Sequence, residues 1–97
     1  MKAKASLKIP DGKMVKINAE IEDEEILDTE IRGDFFLEPP EKLSELEEKI
    51  SGIDRNCSKE KIREKLQEVD AELIGFSRED VAEALRKAAD KVEGDES

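Results

Sequence analysis

The sequence contains no tryptophan, no tyrosine and no histidine, and its 97 residues include one cysteine and three phenylalanines. Without histidine, the side chain that titrates nearest neutral pH is missing, and with it every Ser–His or Cys–His nucleophile pair. A single cysteine excludes an internal disulfide and suits a reducing compartment. With no histidine and no second cysteine beside it, Cys57 cannot build a zinc site. Glycine is sparse, and Gly12, Gly33, Gly52, Gly75 and Gly94 are too scattered to form a phosphate cradle. Met1-Lys2-Ala3-Lys4 leads into no long apolar run, so neither a signal peptide nor a membrane-spanning helix is expected, and the protein is read as cytoplasmic.

What the chain has in abundance is charge. Charged residues make up 45% of it, with 27 acids against 17 bases and a net charge of −10. Such a polyanion repels phosphates, which argues against nucleic acid, a bare acidic membrane, or an ATP site built by this chain alone. Apolar residues are only 36% of the total, but they recur periodically, which marks a folding chain rather than a disordered one. One domain over 1–97 is expected, with a frayed tail at 93–97.

Residues 3–9 alternate, with Ala3, Ala5, Leu7 and Ile9 on one face and Lys4, Ser6 and Lys8 on the other, the period of a half-buried strand. Pro10-Asp11-Gly12 supplies turn chemistry, and Val15, Ile17, Ala19 and Ile21 then alternate with Lys16, Asn18 and Glu20. The two runs predict an antiparallel hairpin. Glu22-Asp23-Glu24-Glu25 reads as a solvated turn, because calcium loops space their ligands and include a turn-forming glycine. A third strand is expected from Ile26 to Arg32, with Leu27, Thr29 and Ile31 inward and Asp28, Glu30 and Arg32 outward.

Helical signals follow. Pro39 or Pro40 suits the first turn of a helix, with Glu38 and Glu41 at its positive end and Leu43, Leu46 and Ile50 as its stripe before Gly52. After a short connection, Ser58 caps a second helix carrying Ile62, Leu66, Val69 and Leu73. Ser77 and Asp80 stand in capping-box positions for a third, with Phe76 stapled to Val81 and a stripe of Val81, Leu85, Ala88, Ala89 and Val92. Strands first and helices afterwards predict an α+β fold: a three-stranded antiparallel sheet followed by three helices packed on one face.

Between the two kinds of structure lies Ile31-Arg32-Gly33-Asp34-Phe35-Phe36-Leu37-Glu38-Pro39, which holds two of the three aromatic side chains. Neighbours in an extended segment point to opposite sides. One phenylalanine can therefore plug the seam between sheet and helices while the other faces outward to dock a partner. Asp34 either joins that docking or braces the turn after the third strand.

Gly33-Asp34-Phe35-Phe36 followed by Pro39, after Ile9-Pro10-Asp11-Gly12-Lys13-Met14-Val15-Lys16 and before Leu73-Ile74-Gly75-Phe76-Ser77, resembles the accessory domain of lipoate–protein ligases. The resemblance spans about residues 7–92. It implies a non-catalytic role: a separate, larger domain binds lipoate, ATP and Mg, forms lipoyl-adenylate and acylates a lysine of lipoyl-carrying proteins. The accessory domain covers that catalytic domain and serves the activation step. With Met1 at its start, this chain is expected to work in trans on a large catalytic subunit. Gly33, Asp34, Phe35 and Phe36 are then the first candidates for docking, and the turn with Pro10 and Lys13 the second. No catalytic or metal-binding residue is assigned to the chain itself.

Two other readings stand beside this one. The chain could be an acidic interaction adaptor unrelated to lipoate, or a small enzyme using Cys57, whose thiol has only Arg55 and Lys59 nearby in sequence to activate it.

Overall fold

A computed structural model describes residues 1–9, 14–33 and 36–95, the side chains of 92–95 excepted. The turn at residues 10–13, the pair Asp34 and Phe35, the side chain of Val92 and residues 96–97 fall outside the described residues, whereas residues 93–95 of the expected tail continue the last helix.

The hairpin forms as the alternation demands. β1 (Lys2–Lys8) pairs antiparallel with β2 (Met14–Glu22), setting Ala5 opposite Ile17 and Leu7 opposite Val15 on the inward face. β3 (Glu25–Gly33) adds to the other side of β2, with Ile17 opposite Ile31. Asp23 takes a φ of 54° in the β2–β3 turn, a conformation that aspartate tolerates better than most residues.

β3 departs from the simple alternation. Ile21 faces Ile26 while Glu20 faces Asp28, so β3 has one residue more than β2 over this stretch, a β-bulge. The extra residue changes which side chains point inward. Ile26, Thr29 and Ile31 are buried, whereas Leu27, expected inward, is exposed. A period-two reading cannot anticipate an inserted residue, because the pattern shifts face without any change in composition.

The helices cover the inward face. α1 (Lys42–Lys49) buries Leu46 against the sheet. Pro39 and Pro40 lie just before it, their carbonyls accepting from the amides of Lys42 and Leu43 at 3.0 and 3.2 Å, so the prolines lead into the helix rather than occupying its first turn. α1 runs beside the free part of β3 and satisfies its backbone. The Ile31 amide donates to Glu47 Oε2 at 2.9 Å, and the buried Thr29 hydroxyl donates to the Ile50 carbonyl at 3.0 Å.

The main sheet has four strands rather than the three expected. β5 (Ile53–Asp54) returns after α1 to pair with Glu25 and Ile26, giving the order β1-β2-β3-β5. Gly52, with φ 72°, turns the chain, and its amide donates to the Ile26 carbonyl at 2.6 Å. A two-residue strand carries no readable alternation. It exists because the acidic β2–β3 turn offers a free edge, further tied by Arg55, whose amide donates to the Glu24 carbonyl at 2.9 Å.

α2 (Lys59–Gln67) starts where Ser58 accepts from the Lys61 amide at 3.2 Å. It ends at Gln67, so Leu73, expected on its stripe, belongs instead to a strand beyond it. α3 (Arg78–Asp95) has the reciprocal start that the sequence promised. The Asp80 amide donates to Ser77 Oγ at 3.1 Å, and the Ser77 amide donates to Asp80 Oδ2 at 2.9 Å. α3 lies across β1 and β2 and against α2. Its Ala82, Ala84, Ala88 and Ala89 are all buried, which lets the helix approach closely.

A second, two-stranded sheet was not expected at all. β4 (Phe36–Glu38) pairs antiparallel with β6 (Glu72–Ile74), joining two stretches far apart in sequence. The fold is α+β, with a four-stranded sheet, a separate ribbon and three helices.

Candidate functional site

The ribbon is where the aromatic junction ends. In a two-stranded pair, residues directly opposite share a face. Leu37 and Leu73 form the inward pair; Leu37 is buried, and Leu73 packs against the core. Phe36 and Ile74 form an outward pair, and Glu38 and Glu72 the next one along. Phe36 is 71% exposed and Ile74 39%. Leu37 therefore fills the inward position next to Phe36. Covering a phenylalanine contributes roughly 2 kcal/mol, so among the described residues this exposed ring makes the ribbon the place where association would gain most.

Of the residues singled out from sequence, Gly33 closes β3 with φ 154° and is exposed, and Phe36 opens β4 with its ring outward. A side chain at Gly33 would be strained at that angle, which accounts for glycine where the main sheet hands over to the ribbon. Asp34, Phe35, Pro10 and Lys13 lie outside the described residues.

Sequence reasoning missed Glu38, Glu72 and Ile74 as parts of the same face. Two three-residue stretches, Phe36-Leu37-Glu38 and Glu72-Leu73-Ile74, both alternate, but each is too short to stand out from a loop. Glu38 and Glu72 are like charges set opposite each other, an arrangement that costs stability, and neither carboxylate has an ion pair among the described residues. The surface is thus an apolar pair flanked by an uncompensated acidic one.

The ribbon is held from behind by Arg78 at the start of α3. Its Nε donates to the Leu66 carbonyl at 3.0 Å, and its Nη2 donates to the carbonyls of Val69 and Ala71 at 2.7 and 3.1 Å. This fork fixes the segment that leads from α2 into β6. Gly75, with φ 91°, then turns the chain so that Phe76 enters the core directly after the exposed Ile74.

Cys57 is half-buried at the margin of the core, and its carbonyl accepts from Arg86 Nη1 at 3.3 Å. Arg86 also donates to the Arg55 carbonyl at 2.6 Å and pairs with Asp90 at 2.8 Å, so it braces the loop. Among the described residues, no three acidic or cysteine side chains converge as metal ligands, and no helix is long and apolar enough to cross a membrane.

Residues 2–85 match the family described as bacterial lipoate protein ligase C-terminus. The chain belongs to this family. The match takes in the main sheet and both strands of the ribbon and stops inside α3. Among solved structures, the chain is similar to one from an archaeal lipoylation system of Thermoplasma acidophilum, described as a bi-partite lipoate protein ligase and its E2 lipoyl domain. The identity is 25% and the TM-score 0.73, over 89% of this chain and 96% of that one. No curated protein matches. Within this lipoate ligase C-terminal domain, two of the three stretches that carried the resemblance meet in the β4–β6 ribbon, where Phe36 pairs with Ile74.

Proposed function

We propose that the chain is the non-catalytic accessory subunit of a bipartite lipoate–protein ligase, acting in trans on a large catalytic subunit. That subunit binds lipoate and Mg-ATP and activates lipoate to lipoyl-adenylate, and the acyl group then passes to a lysine of a lipoyl-carrying protein. The observation that carries this reading is the exposed Phe36–Ile74 pair, set within a family match that covers most of the chain. The likeness to a chain of a bi-partite ligase supports the division of labour.

The ribbon docks on an apolar recess of the catalytic subunit edged by basic groups, which answer Glu38 and Glu72. Docking orders the partner's loops around the adenylate and excludes water from it, which favours activation over hydrolysis. Asp34, Phe35, Pro10 and Lys13 remain the further candidates for contact with the partner, and the whole of 1–97 acts as one domain in the cytoplasm. The chain contributes contact and closure, and the partner the reacting groups.

The test is adenylate formation from lipoate and Mg-ATP by the catalytic subunit of the same organism, with and without this chain. Adenylate is expected only, or far faster, with both. Phe36→Ala, whose side chain is mostly in water, should leave folding intact and weaken subunit binding by about 2 kcal/mol, the size of an interface hot spot. A catalytic subunit that is fully active alone and does not bind this chain would refute the proposal and leave an acidic adaptor as the better account.

A further inference from the structure

In a chain of net charge −10, a solvated sheet face should be acidic or mixed. The outward face of the main sheet is instead sorted. At one end Lys2 faces Glu20, which faces Asp28, and the N-terminal ammonium meets Glu20 at 2.8 Å. At the other end, Lys16 sits directly opposite Arg32, two like charges on neighbouring strands. Lys4 and Lys8 occupy the diagonal positions on β1, on either side of Ser6, which faces Lys16.

Adjacent strands are about 4.8 Å apart, so these four cations share one compact, flat area. All four are exposed. Lys4, Lys8 and Lys16 have no carboxylate partner among the described residues, and Arg32 meets only Glu30, at 3.2 Å. Along the free edge of β1, Lys91 Nζ donates to the Lys4 carbonyl at 2.9 Å and Lys87 Nζ to the Ser6 carbonyl at 3.2 Å, which widens the positive band.

Like charges directly opposite destabilise a sheet, and a sheet that merely needed solvation could have spread its many acids here. From this placement we infer that the Lys4–Lys8–Lys16–Arg32 band is a second docking surface, which receives a carboxylate-rich patch on a folded protein partner. It lies on a different sheet from the Phe36–Ile74 ribbon, so one chain can engage two protein surfaces. A protein patch fits better than a nucleic acid. An extended polyanion would run on to Glu20 and Asp28 on the same face and meet the net field of the chain, whereas a compact acidic patch meets the band and, of these acids, only Glu30 beside Arg32.

The experiment is a titration of the full ¹⁵N-labelled chain at low ionic strength, where screening is weakest. The probes are an octaglutamate peptide and, separately, an eight-residue oligothymidylate. Amide shifts are expected at Lys4, Lys8, Lys16 and Arg32 with octaglutamate. The affinity should fall by roughly tenfold in Lys16→Glu/Arg32→Glu, since two attractive pairs become repulsive. Lys61→Glu/Lys65→Glu, on α2, changes the net charge equally and should weaken binding much less. Lys16→Gln/Arg32→Gln gives an intermediate loss and guards against a folding artefact in the reversal. Three results overturn the inference: no shifts at the band, equal losses from the α2 control, or oligothymidylate binding there more tightly than octaglutamate.

Discussion

Arg78 offers the sharpest test of how the ribbon is held in place. Its guanidinium makes three hydrogen bonds to backbone carbonyls, at Leu66, Val69 and Ala71, all partly buried. The Leu66 carbonyl also accepts from the Val69 amide at 3.1 Å, so it keeps a partner if the arginine is removed. Arg78→Met preserves the length of the stem and deletes the fork. Hydrogen bonds from a charged donor are worth about 1.5–3 kcal/mol each. With one carbonyl still satisfied and water able to reach the others, the net loss should be about 2–3 kcal/mol. In a domain of this size that lowers Tm by roughly 10–20 °C. Arg78→Lys should recover less than half, because an ammonium is a point charge without the planar fork. Urea unfolding followed by circular dichroism measures the loss, and hydrogen exchange at β6 locates it. If the urea midpoint barely moves and β6 amides stay protected, the fork does not hold the ribbon and Arg78 does not position Ile74.

Two further outcomes follow from the same geometry. At Gly52 a Cβ would meet nothing within 4 Å, so Gly52→Ala should cost only the strain of its φ of 72°, about 1–2 kcal/mol by thermal unfolding; a loss above about 3 kcal/mol would mean a hidden clash. The Glu68 carboxyl is held below its ordinary value of 4.5, chiefly by its hydrogen bond with Lys49, whose ammonium lies 2.8 Å away. A lowered carboxylate stabilises the fold above its unfolded pKa and loses that contribution as pH falls through the folded one. The small deficit of Glu68→Gln relative to the parent should therefore be present at pH 7 and vanish as the pH falls below 4.5, and urea midpoints across that range would show a constant gap if the pair contributes nothing.

Several elements were legible from residues alone because their signals are local. The hairpin announced itself through alternation in β1 and β2. Ser58 and the Ser77–Asp80 pair marked the starts of α2 and α3, since capping depends on atoms three residues apart. The pleat of an extended strand led one of the two adjacent phenylalanines to be expected outward, without telling which; Phe36 is exposed. Leu27 was misplaced because a bulge leaves no mark in composition, and Leu73 because its apolar spacing continued the stripe of α2 past the helix end at Gln67.

The sequence by itself determined the class of fold, the net charge of −10, the absence of histidine and the aromatic junction. Tertiary structure decided which distant segments meet: β5 on β3, β4 on β6, the fork of Arg78 on the loop after α2, and Lys16 beside Arg32. The reason is physical. Period and capping are properties of neighbouring residues, whereas pairing between short strands depends on how the whole core closes and which free edges it leaves.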